Sequence, residues 1–119
     1  VRLGDAWHPI RFDENWLRNE GIPRLRQIAD EEGGEMPALC PRIRLRIFDS
    51  PLDDTRTMGN GTLDQIRGDL ASLEELGCEH VLLDTYYDEV EATRDPAPAF
   101  RTVAEVAEKL FDLSKGTVR

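Results

Sequence analysis

The chain has 119 residues, of which 39% are hydrophobic and 33% are charged, and its formal net charge at pH 7 is −9. This acidic balance argues against a nucleic-acid partner, because phosphate backbones are bound by clustered lysine and arginine. No run approaches the roughly 18 uninterrupted apolar residues of a membrane span, so we expect no membrane association. Cys40 and Cys78 are isolated and only His8 and His80 could add imidazole ligands, which predicts reduced thiols, a cytoplasmic protein and no metal site.

The first predicted unit is a short strand followed by an interrupted helix. Residues 5–10 form a short apolar segment, and Asp13 is a plausible N-cap for a helix over residues 13–20. Pro23 is expected to break this helix, since proline in a helix interior removes a hydrogen bond and clashes with the preceding turn. The helix should resume at about Pro23 and stop at the glycines of residues 33–34.

The second predicted unit begins with a strongly alternating segment. Residues 42–48 read RIRLRIF, and this period of two predicts a strand with two different faces. Residues 49–61 contain proline and glycine with few apolar residues, which indicates a loop. Thr62 should start the next helix because Gln65 stands three residues later, in a capping-box pattern, and Gly77 should end it.

The third predicted unit pairs a buried strand with the last helix. Residues 80–85 give the clearest buried strand in the sequence, and a helix over about residues 99–113 follows with Phe111 on its inner face. Strands that alternate with helices of this length favour parallel strands joined by right-handed crossovers. The sequence therefore predicts an α/β fold of consecutive βα units.

Two ordered segments resemble a known enzyme family. Residues 4–9 read GDAWHP, and residues 61–66 read GTLDQI before the run LGCEHVLLD at residues 76–84. This pair resembles the C-terminal part of the luciferase-like monooxygenases and related flavin- or deazaflavin-dependent oxidoreductases. The run DTYYD at residues 84–88, continuing through EATRD at residues 91–95, looks like the branch of that family that uses the deazaflavin coenzyme F420. The resemblance thus implies coenzyme F420, with flavin mononucleotide (FMN) as the alternative.

The resemblance also implies a fold larger than this chain. The family fold is an eight-stranded β/α barrel, which needs roughly 200–250 residues. Residues 1–119 would then form a single C-terminal segment, the last three βα units of a TIM (β/α)8 barrel without its N-terminal units. The parent enzyme would transfer two electrons between the reduced cofactor and an organic small-molecule substrate. The isolated chain is expected to be inactive, to bind deazaflavin weakly or not at all, and to form a homo-oligomer.

Candidate site residues follow from the rule that parallel β/α folds place their working residues at the C-terminal ends of strands. Trp7 offers an apolar wall for a planar ring and is the predicted cofactor-binding residue of the first strand. His8 can donate a hydrogen bond or transfer a proton near neutral pH, and is the predicted catalytic residue. The competing interpretation is that Trp7 only packs and that His8 caps a turn before Pro9.

The later strands supply three further candidates. Arg46 is the arginine nearest the C-terminal end of its strand, where its planar fork could hold a cofactor phosphate or a substrate carboxylate. The competing interpretation is an internal salt-bridge network. Asp84 and Tyr86 follow the last strand and are predicted to bind substrate, although such residues could equally cap the strand and close a surface loop.

A function of a different class is also open. An open sheet of three parallel strands leaves both edges unpaired, which invites association. The chain could therefore be a non-catalytic α/β module that self-associates or completes a sheet with a partner chain.

Overall fold

The computed structural model describes residues 1–119 and shows a mixed α/β chain with parallel strands, which confirms the predicted α/β class. The residues group into two compact units. Unit one comprises Val1–Ile43 and Leu73–Leu82, and unit two comprises Arg44–Ser72 and Leu83–Arg119.

The regular elements are short strands and four α-helices. The strands are β1 (Ala6–Trp7), β2 (Ala38–Leu39), β3 (Arg42–Arg44), β4 (Arg46–Ile47), β5 (Asn60–Gly61), β6 (Leu82–Asp84), β7 (Phe111–Asp112) and β8 (Thr117–Val118). The α-helices are α1 (Glu14–Trp16), α2 (Ile22–Glu31), α3 (Leu63–Glu75) and α4 (Ala97–Leu110). A π-helical turn occupies Leu17–Gly21, and a 3₁₀-helix occupies Val90–Arg94.

Parallel pairing organises the strands of unit one. β1 pairs with β2 in parallel, with Trp7 opposite Leu39. Leu39 also forms a parallel bridge to Cys78, and its carbonyl accepts the backbone N–H of Glu79 at 2.9 Å. Three parallel segments therefore lie side by side, although the middle one, Ala38–Leu39, precedes the strand predicted at residues 42–48.

The helix of unit one begins as predicted but is not broken. Asp13 caps it, because its Oδ1 accepts the backbone N–H of Trp16 at 2.7 Å. The expected break at Pro23 is wrong: the backbone N–H of Ile22 donates to the carbonyl of Leu17, five residues earlier, so one widened π turn joins α1 to α2. Pro23 then lies in the first turn of α2, where the missing N–H is tolerated.

The alternating segment of residues 42–48 gives two short strands rather than one, with Leu45 between them. In unit two, β4 pairs in parallel with β5, which places Arg46 opposite Asn60. β5 lies at the end of residues 49–61, the segment whose composition predicts a loop. Two residues are too few to produce a periodic signal, so only the pairing reveals this strand.

The start of α3 confirms the capping-box prediction. Thr62 Oγ1 accepts the backbone N–H of Gln65 at 3.3 Å, and Gln65 Oε1 accepts the backbone N–H of Thr62 at 3.1 Å. Ile66 and Leu73 on this helix are completely buried.

Two other sequence expectations are wrong. The strand expected at residues 80–85 is shorter and less buried, because Leu82 in β6 is 48% exposed. The last helix ends at Leu110, and Phe111 belongs to β7, which pairs antiparallel with β8. Asp112 closes the intervening turn by accepting bonds from the backbone N–H and the hydroxyl of Ser114, and such side-chain bonds to the local backbone compete with a helix.

Each unit has its own buried apolar residues. Those of unit one include Leu17, Ile22, Ala29, Leu39, Ile43 and Leu73, and those of unit two include Leu45, Ile66, Leu70, Val106 and Leu110. None of the helices is both long enough and apolar enough to cross a membrane.

Candidate functional site

Unit one presents His8 directly after β1, at the C-terminal end of a parallel strand pair. Nδ1 of His8 donates to the carbonyl oxygen of Cys40, which follows β2, at a distance of 2.6 Å. A carbonyl oxygen can only accept, so the hydrogen of the neutral ring lies on Nδ1 and Nε2 carries a lone pair. The exposed imidazole is therefore fixed in one tautomer, with Nε2 able to accept a proton or a hydrogen bond.

Trp7 lies beside His8 in sequence and packs against a second indole. The ring centroids of Trp7 and Trp16 are 6.2 Å apart, and the ring planes are tilted by 55°. Gly21, at the end of the π turn, lies under both rings: a Cβ atom there would stand 2.9 Å from Cζ3 of Trp16 and 3.1 Å from Cη2 of Trp7. The absence of a side chain at Gly21 therefore allows both indoles to approach the helix backbone.

Two open cavities border this pair of indoles. One, of about 360 Å³, is lined by Trp7, Pro9, Ile10, Arg11, Phe12, Asp13 and Trp16. The other, of about 310 Å³, is lined by Trp7, Trp16, Glu20, Gly21, Arg24, Leu25 and Ile28. Both are at the small end of the volumes that ligand pockets have, and their aromatic and aliphatic walls suit the face of a planar ring.

Unit two contains a larger open cleft between β4, the segment after β6, and α4. Its volume is about 510 Å³. The lining residues are Leu45, Arg46, Ile47, Asp49, Thr85, Tyr87, Glu89, Pro98, Ala99, Arg101, Thr102 and Glu105. Charged groups of both signs thus face an otherwise largely apolar and hydroxyl-bearing surface.

Arg46 is held in this cleft by aromatic rings. Its Cζ atom lies 5.4 Å from the ring centroid of Phe48 and 5.3 Å from that of Tyr87. Both distances are within the range of attractive cation–π contacts. Neither Arg46 nor Arg101 makes an ion pair.

Tyr87, rather than Tyr86, contributes to the cleft. The hydroxyl of Tyr87 donates to Oδ1 of Asn60 at 3.1 Å, and burial raises the pKa of this phenol to about 12. Tyr87 therefore remains protonated at neutral pH. Neighbouring side chains of an extended segment point in opposite directions, so only one of the two adjacent tyrosines can face the cleft. Nothing in the sequence identifies which one does.

Asp84, and Arg44 at the end of β3, are both engaged by contacts within unit two. Oδ1 of Asp84 accepts the backbone N–H of Tyr86 at 3.0 Å, a turn interaction typical of aspartate. Arg44 forms an ion pair with Asp88 at 2.6 Å, and the hydrogen bond from this guanidinium to the carboxylate raises the pKa of Arg44. Arg44, one of the three alternating arginines of residues 42–46, is thus paired within the chain.

Comparisons with protein-family models, curated proteins and solved structures find no match to this chain. The assigned roles of the five candidate residues stay predictions. The structure places His8 and Trp7 together in unit one, and Arg46, Asp84 and Tyr86 in unit two.

Proposed function

We propose that this chain is part of a luciferase-like oxidoreductase that transfers two electrons between a reduced deazaflavin, or alternatively FMN, and an organic substrate. The observation that carries the proposal is the pair Trp7–His8 at the C-terminal end of β1, with His8 fixed in one tautomer by the carbonyl of Cys40. This is the end of a parallel strand at which β/α enzymes place their ligands.

The two side chains have separate roles in this proposal. A bound deazaflavin or flavin would supply the redox chemistry, and the protein would orient the ring and shape the pocket. The indole of Trp7, supported by Trp16, would form an apolar wall for a planar ring. Nε2 of His8 would accept a proton or a hydrogen bond from a group of the substrate.

The finer fold assignment belongs to the same proposal. The three βα units would be the C-terminal units of a TIM (β/α)8 barrel in a cytoplasmic enzyme. The parallel pairing of β1 with β2 and of β4 with β5 supports this assignment, because barrel strands are all parallel.

The test uses the full-length protein that the natural gene encodes. We expect it to bind deazaflavin or FMN and to oxidise the reduced form when substrate is present. Trp7→Ala should weaken cofactor or substrate binding by roughly 1–3 kcal/mol through lost ring packing. His8→Gln should lower turnover, whereas His80→Gln, at the other exposed histidine of unit one, should not. Absence of binding to both cofactors, or equal turnover of the two histidine variants, would contradict the proposal.

One observation favours association of this chain as a second candidate function. Phe100 and Val103, three residues apart on one side of α4, are 72% and 50% exposed. Exposed apolar residues in such a stripe are typical of interaction surfaces. Sedimentation velocity should then show an oligomer that Phe100→Ser dissociates, and a monomer at every concentration would exclude this candidate.

A further inference from the structure

The cleft of unit two holds two cationic side chains without a carboxylate partner. Other arginines of unit two form ion pairs within the chain, such as Arg44 with Asp88 and Arg56 with Asp69. Arg46 and Arg101 instead line the same open space with no ion pair of their own. Their N–H groups are therefore available to a ligand.

The surroundings of Arg46 favour a planar anion. The guanidinium carbon of Arg46 lies over the rings of Phe48 and Tyr87, and Tyr87 is itself anchored by its hydrogen bond to Asn60. The N–H groups on the edge of the guanidinium are left to make hydrogen bonds. This edge matches a carboxylate through two parallel N–H···O bonds.

The charged groups that line the cleft favour a monoanion over a dianion. Glu105 is neutralised by Lys109, whose Nζ lies 2.8 Å from its carboxylate. The carboxylates of Asp49 and Glu89 also line the cleft, and they would repel a dianion such as phosphate more strongly than a monoanion. Apolar lining is available for the rest of the ligand, from Leu45, Ile47, Pro98 and Ala99.

We propose that this cleft is a binding site for a small monocarboxylate with an apolar body, held by Arg46 and Arg101. The site lies in unit two and does not depend on the redox role proposed for His8. A chain that binds the carboxylate without any redox activity, or the reverse, would therefore separate the two proposals.

Benzoate is a suitable probe, and inorganic phosphate is the comparison ligand. Titration of the 119-residue chain, followed by amide chemical shifts, should move residues of β4, the segment after β6 and the start of α4. Arg46→Gln should weaken benzoate binding at least about tenfold, because a charge-assisted hydrogen bond is lost. The benzoate affinity of Arg46→Lys should lie between those of the wild-type chain and Arg46→Gln, since lysine keeps the charge but lacks the planar fork of N–H groups.

Arg26→Gln is the matched control, because Arg26 is an exposed arginine on α2 that makes no ion pair. It should leave benzoate affinity unchanged. If Arg46→Gln perturbs folding, Arg101→Gln on the exposed side of α4 provides the same test. Equal affinity of the cleft variants and the control, shifts confined to other regions, or tighter binding of phosphate than of benzoate would each overturn the proposal.

Discussion

The carboxylate of Asp69 accepts hydrogen bonds from both terminal nitrogens of Arg56, each at 2.7 Å, and the Asp69 side chain is only 8% exposed. The same carboxylate accepts the backbone N–H of Gly59 at 2.8 Å. Gln65 makes a second attachment, because its side-chain amide bonds both the N–H and the carbonyl of Leu52. The segment of residues 49–61 is therefore fastened to α3 at both ends, although its composition is that of a loop.

Removal of this carboxylate should destabilise the chain strongly. Asp69→Ala leaves the part-buried guanidinium of Arg56 and the N–H of Gly59 without their acceptor, and we expect a loss of about 3 kcal/mol in the free energy of unfolding. Urea denaturation measures this loss. Asp64→Ala is the control, because that carboxylate is 89% exposed and pairs only with Arg67 on the same helix. Similar losses in the two variants would show that the Arg56–Asp69 pair has no special role.

Gly21 and Gly68 provide a matched pair of glycine-to-alanine substitutions within helical segments. At Gly21 the new Cβ atom would lie about 2.9–3.1 Å from the two indoles, so Gly21→Ala should displace them and cost roughly 1–2 kcal/mol. At Gly68 in α3 nothing lies within 4 Å, so Gly68→Ala should stabilise the chain by about 0.5–1 kcal/mol. Thermal unfolding measures the sign of the stability change in each variant. Only Gly21→Ala should change the tryptophan fluorescence of the native state.

Tyr87 should ionise late in an alkaline titration. Burial raises its pKa from 10.0 to about 12, so the folded chain holds this proton more tightly than the unfolded chain. The contribution to stability is complete below pH 10 and is lost as the pH rises from about 10 to about 12. Absorbance of the phenolate, compared between the wild-type chain and Tyr87→Phe, isolates this group. A wild-type curve in which Tyr87 ionises near pH 10 while the chain is still folded would contradict the structure.

Cys78 should react slowly with thiol reagents. Burial raises the pKa of its thiol above 9.0, with a smaller contribution from Cys40, and the thiolate is the reactive form. In a Cys40→Ser background, alkylation by iodoacetamide at pH 8 should be slower than that of an unstructured peptide thiol. Urea should remove the difference, and an equally fast reaction of the folded chain would refute this expectation.

The sequence by itself determined the features that depend on near neighbours along the chain. The capping box of Thr62 and Gln65 and the N-cap at Asp13 were predictable, because their hydrogen bonds span three residues. The alternation over residues 42–48 likewise predicted two different faces, since a period of two separates the faces of a strand, and Ile43 and Leu45 on one of them are buried. The segment of residues 5–10 is too short for periodicity to predict a strand, so the position of Trp7 and His8 at a strand end was expected from the resemblance rather than from local pattern.

Only the tertiary structure decided the features whose partners are distant in sequence. The tautomer of His8 depends on a carbonyl 32 residues away, and the choice of Tyr87 over Tyr86 depends partly on Asn60, 27 residues away. The exposure of Leu82 depends on which elements pack against β6. The apolar run around Leu82 predicts only that this strand is suited to burial. Local pattern fixes the backbone state and the face of a residue, but the contacts that orient a side chain are set by segments that meet on folding.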